Sequence, residues 1–154
     1  MPLPTTKRFR DLLESQLNRQ VTMHPADALA AAGPHLCVAV YVDHRLATQA
    51  VAVLDLAAAA YIGAAQALLP VGVATSAVRA GTLPAMVEER LRGVLQGWAP
   101  LFPGDDVRLY DVTLPGERPP NDVVALTAAP GRRLDLALTV RAYGEGRLSL
   151  VQGR

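Results

Sequence analysis

From Leu46 to Val78 the chain carries a single charged residue, Asp55, and this lack of charge limits its possible folds more than any other feature. A stretch of that kind has to be shielded from water, in a bilayer or inside a folded domain. The bilayer fails on length. Asp55 interrupts the stretch, Pro70 and Gly72 break it again, and the longest clean run, Leu56 to Leu69, falls short of the ~20 residues a span needs. The pattern therefore predicts a buried strand, Leu46 to Leu54, followed by a buried helix that Asp55 caps and that runs to about Leu69. Alanine fills that helix, and Gln66 is its only polar side chain after the start.

The segment before it reads the same way. His35 to Asp43 (HLCVAVYVD) is rich in β-formers, and Asp43, His44 and Arg45 form a short polar link to the next strand. Together they predict an antiparallel hairpin inside a sheet. Upstream, Thr5 or Thr6 caps a helix with Phe9, Leu12, Leu13 and Leu17 on one side, Gln20 to His24 is a short strand, and ADALAAAGP is a loop. Downstream come a short helix (Ala74 to Ala80), a strand (Val107 to Leu114), the loop PGERPPN, and one or two helical turns capped by Asn121. A final hairpin has Leu134, Leu136, Leu138 and Val140 alternating on one strand and Leu148 and Leu150 on the other. Gly144, Glu145 and Gly146 supply its turn. The expectation is one α+β domain, a mostly antiparallel sheet with two long helices packed on one face. Residues 1–34 form an N-terminal helix and loop, and 35–151 the sheet-and-helix core.

Charge and cysteine content narrow the function classes. Fifteen basic residues against fourteen acidic ones give a formal charge of +1, no field with which to hold nucleic acid or anionic lipid. Cys37, the only cysteine, lies in an apolar run and reads as a buried, inert thiol. The start MPLPTTKRFRDLLESQ has no continuous apolar core of a secretory signal, so the expected location is cytoplasmic. With so few aromatics (5%), Ala, Val and Leu must supply the packing, and self-association into a homodimer is an expected source of further burial.

Conventional catalytic motifs do not assemble. His24 precedes a proline, His35 opens a strand and His44 sits in a turn, a spacing that suits no metal site, and no cofactor motif is present. Ser76 and Ser149 lack a nucleophile elbow, and the glycines at 72, 93 and 97 lack the Gly-Lys-Ser/Thr ending of a phosphate loop. The scattered aspartates fall mostly at turns and caps, where aspartate is locally favoured.

One segment remains, Thr82 to Phe102. Val87, Leu91, Val94, Leu95, Trp98, Leu101 and Phe102 recur at the three- and four-residue steps of an amphipathic helix capped by Thr82, with Pro84 in its first turn. Glu89, Gly93 and Gln96 fall together on the opposite side, and Glu88 and Arg92 are spaced for a helical ion pair.

The order of elements (apolar hairpin, Ala-rich helix ending in Pro/Gly, acidic-start amphipathic helix, late strands) resembles the CheC/CheX/FliY family of chemotaxis phosphatases over roughly Leu36 to Val151. In that family a helix presents an acid and, three positions later, an asparagine to a phosphorylated receiver domain. The acid anchors the partner and the amide orients a water for attack on the aspartyl phosphate. Laid on this helix by its apolar register, the motif places Gly93 at the acid and Gln96 at the amide, a degenerate pair. The resemblance thus implies a non-catalytic binding domain that docks a response-regulator receiver through the 82–102 helix, with Glu89, Arg92, Gly93 and Gln96 as the contact residues. Two other readings stay open. One is an active aspartyl-phosphate phosphatase that uses Gln96. The other is a small-molecule-binding module with its pocket between the Ala-rich helix and the sheet.

Overall fold

In the computed structural model, residues 3–129 and 131–153 are described. Six strands form one sheet: β1 (Val21–Pro25), β2 (Leu36–Val42), β3 (Thr48–Asp55), β4 (Arg108–Thr113), β5 (Arg133–Val140) and β6 (Gly144–Gln152). Their order is β1-β5-β6-β3-β2-β4, and each neighbouring pair is antiparallel. The helices are α1 (Thr6–Leu17), α2 (Leu56–Gln66), α3 (Val71–Ala80), α4 (Ala85–Gln96) and α5 (Asn121–Ala128), with a 3-10 turn at Ala99–Leu101.

The hairpin strands β2 and β3 explain the long uncharged run. Their alternate residues enter two different cores. Cys37, Ala39 and Tyr41 with Ala50, Ala52 and Leu54 face α1, α2 and α4, while Val38, Val40 and Val42 with Val51 and Val53 face Ala31 and Val123 of α5. With both faces covered, the central positions of these strands favour apolar side chains, and Thr48, Gln49 and Asp55 fall at the partly buried ends of β3. The expected architecture is therefore observed, α2 and α4 lying on one face, and α5 with the 26–35 segment closes part of the other. That cover is pinned by Arg133, which pairs with Asp135 at 2.9 Å and donates to the Thr127 and Leu29 carbonyls at 2.8 and 3.3 Å. Ser149 joins Asp135 to the Leu29 amide.

Alanine and glycine in α2 serve close approach. A Cβ on Gly146 of β6 would fall 2.4 Å from the Ala58 nitrogen, and one on Gly63 would fall 2.6 Å from the Val87 carbonyl oxygen of α4. Helix α2 thus lies nearly backbone to backbone against β6 at Ala58 and against α4 at Gly63, so the helix–sheet interface is tight at the point where β6 crosses it. Burial pushes the Cys37 thiol up to about 12, in keeping with an inert core residue.

Several boundaries differ from the sequence pattern. Helix α2 stops at Gln66, because Leu68 adopts a left-handed φ of 57° that an α-helix cannot continue. Helix α3 starts at Val71, directly after Pro70. The long helix is shorter than 82–102: Pro84, not Thr82, holds the N-cap position, and α4 ends at Gln96 before the 3-10 turn. Pro120 likewise takes the cap position expected of Asn121. The last hairpin turns at Arg141–Tyr143, and Gly144, Glu145 and Gly146 already belong to β6. Among the described residues, no helix is long and apolar enough to cross a membrane.

Candidate functional site

Helix α4 is fastened to the domain by its apolar stripe and by its C-terminal carbonyls. Val87, Leu91, Val94 and Leu95 are buried, and Trp98, Leu101 and Phe102 follow them inward through the 3-10 turn. The last carbonyls of a helix lack intrahelical donors. Here the buried Tyr41 hydroxyl donates to Leu95 O at 2.6 Å and Gln16 Nε2 donates to Val94 O at 3.0 Å. The Gln16 amide oxygen also accepts from Trp98 Nε1 at 2.9 Å, and the Trp98 ring meets Phe9 edge-on at a centroid distance of 4.9 Å. Helix α1, the core strand β2 and α4 are thereby tied at one end.

Outward from that end lies an open groove of about 640 Å³, lined by Gln16, Gln66, Glu89, Arg90, Arg92, Gly93, Val94 and Gln96. The four residues singled out by the sequence, Glu89, Arg92, Gly93 and Gln96, all line it. Glu89, Gly93 and Gln96 are exposed, and Arg92 is half-buried. The groove's charges are unevenly used. Arg92 pairs with Glu88 at 3.5 Å, the i, i+4 pair the spacing predicted. Arg90 donates to the neutral Gln66 amide oxygen at 3.2 Å. Gly93 offers no side chain three positions before Gln96, and Glu89 lies seven positions before it, ~10 Å along the helix axis. An acid and an amide are therefore not brought to one point.

Four lining residues escaped the sequence pattern as site members, one of them Val94 of the buried stripe. Gln66 carried a signal, being the one polar side chain on an apolar helix. Arg90 was legible only as part of a wet face. Gln16 had no local signal, because its partners lie 78 and 82 residues away in sequence. A second, less polar groove of about 730 Å³ runs between α3 and Thr82–Pro84, on the outside of the helical layer.

No protein-family model matches the chain, and no curated protein does. Solved structures do. The FliM middle domain of H. pylori is 10% identical with a TM-score of 0.50, over 96% of this chain and 84% of that one. A chain of the FliM–SpeE complex of H. pylori is 7% identical with a TM-score of 0.52, over 96% of this chain and 80% of that one. FliY of Thermotoga maritima is 11% identical with a TM-score of 0.47, over 94% and 81%. The likenesses at TM-scores of 0.50 and 0.52 establish the fold, that of a FliM middle domain. At these identities the likeness is one of fold, and function has to be argued from the site.

Proposed function

We propose that this chain is a non-catalytic protein-binding domain that docks a partner through the outer face of α4, and that the partner is a response-regulator receiver domain. One observation carries the reading: Glu89, Arg92, Gly93 and Gln96 line a single groove on a helix whose opposite face and C-terminal end are locked to the core. A rigid helix presenting polar groups suits protein recognition, since little ordering is needed on binding. The resemblance to CheC, CheX and FliY supplies the receiver as partner, and FliM of H. pylori, which shares the fold, is solved in a complex with another protein, SpeE. A receiver partner would place the domain in the cytoplasm. The homodimer belongs to this proposal as well, as further burial for a chain so rich in small residues.

Gly93 is the reason for preferring docking to catalysis. Without an acid three positions before Gln96, the pair that anchors the partner and orients the water is incomplete, and the site is a degenerate form of the family motif. The test is dephosphorylation of a panel of phosphorylated receiver domains, with Mg²⁺, in the presence and absence of the protein. A complex without accelerated phosphate loss, weakened by Glu89→Arg or Arg92→Glu, is the expected outcome. Accelerated loss that disappears in Gln96→Ala would replace docking with catalysis.

A further inference from the structure

Helix interiors disfavour glycine, and the fold explains some of this chain's glycines but not Gly93. A Cβ at Gly63 would collide with Val87 O at 2.6 Å, and one at Gly97 would meet the Gln16 amide at 2.4 Å. At Gly93 an added Cβ meets nothing within 4 Å, although the residue sits inside α4 and lines the groove. Its backbone is ordinary helix, with no positive φ to require glycine. Nothing among the described residues accounts for the glycine, and helix propensity counts against it.

We infer that Gly93 is the point of closest contact with the docked partner: a segment of the partner crosses α4 there, resting its main chain or a large side chain on the exposed helix backbone. Glycine is the residue that lets another chain approach a backbone most closely. The charges on either side define the rest of the occupant. Arg92 is satisfied by Glu88, whereas the Arg90 guanidinium meets only a neutral amide and Glu89 has no ion-pair partner among the described residues. A complementary segment carries a basic side chain opposite Glu89 and an acidic one opposite Arg90. This inference rests on the docking reading and adds to it the contact point and the charge pattern of the partner.

The experiment measures thermal stability of the free domain and affinity for the receiver domains above, held in the phosphorylated state with beryllofluoride, for wild type, Gly93→Ala, Gly93→Gln and Glu89→Arg. Gly93→Ala raises Tm by roughly 2–4 °C, because alanine is the better helix former and has open space to occupy. Gly93→Gln keeps the wild-type Tm or raises it, ends in a polar amide, and weakens binding by about tenfold or more through overlap with the partner. Stability and affinity thus move in opposite directions, which damage to the fold does not produce. Gly93→Gln binding as tightly as wild type while Glu89→Arg loses the complex would overturn this inference and leave the docking reading intact. No complex with the wild-type protein would refute the docking reading itself, and this inference with it.

Discussion

The sharpest test of the packing is Gly63→Ala. Considered as a helix position alone, the change should stabilise the protein by up to ~1 kcal/mol, since α2 is otherwise continuous. The surroundings reverse the sign. The new methyl would lie 2.6 Å from Val87 O and 2.7 Å from Val87 Cγ1. The side chain could rotate away, but the carbonyl belongs to the α4 backbone and cannot move without the helix. The two helices must separate, and strain from overpacking a tight core typically costs ~1–3 kcal/mol. Because the clash is with backbone, the strain falls in the upper part of that range, ~2–3 kcal/mol, and less ~1 kcal/mol of propensity it leaves a net loss of about 1–2 kcal/mol, a fall in Tm of roughly 2–8 °C for a chain of this size. Gly72→Ala is the matched control: Gly72 is also helical, and its Cβ would meet nothing within 4 Å. It should raise Tm slightly or leave it unchanged. Calorimetry or denaturant titration on the three proteins decides the matter. Gly63→Ala as stable as wild type would mean that α2 and α4 do not touch backbone to backbone, and the account of the Ala-rich helix would fall.

Two further outcomes follow from the same contacts. Gln16→Ala strips Trp98 Nε1 of its acceptor inside the core and Val94 O of its donor, and should cost about 2 kcal/mol, with altered Trp98 fluorescence in the folded state; unchanged stability and emission would show that the Gln16 bridge does not exist in solution. Alkaline pH should also unfold the protein early: Cys37 ionises near 9.0 when exposed but near 12 in the fold, and burial raises Tyr41 well above 10.0. Above pH 9 the unfolded chain therefore loses protons first, so stability is fully present below pH 9 and declines as pH rises toward 12. In Cys37→Ala the decline should begin about one pH unit later, where Tyr41 takes over, and an identical pH profile for the two proteins would contradict the burial of the thiol.

What could be read from the sequence depended on how far the deciding contact lay along the chain. The β2–β3 hairpin, the Asp55 cap and the buried stripe of α4 are set by neighbours a few residues apart, and periodicity reveals them. Glycines misled wherever their purpose was packing. Gly144 and Gly146 look like a turn, yet Gly146 lies in β6 to admit the α2 backbone, and the chain turns earlier, with Ala142 at φ 71°. Trp98, Leu101 and Phe102 continue a helical spacing beyond the end of α4 because the 3-10 turn still directs them inward. Glu89, Arg92, Gly93 and Gln96 could be placed on one face from their spacing. The wall opposite them, Gln16 and Gln66, comes from two other helices and is set by tertiary packing alone.

The anchoring of α4 also gives the docking reading a consequence that surface charge alone would not. Three attachments fix the helix: Val87 against Gly63, Leu95 O against the Tyr41 hydroxyl, and Val94 O against Gln16. All three lie on the side away from the groove or at its inner end, so Glu89, Gly93 and Gln96 are presented by a helix that is already in place before a partner arrives. Substitutions then divide into two groups. Changes at the attachments shift α4 and should lower stability and affinity together, whereas changes at exposed groove positions should alter affinity while the folded domain keeps its stability or gains it. A groove assembled only on binding would blur that division, because ordering α4 would then be part of the binding free energy and the attachment variants would weaken the complex by more than their cost to the free domain.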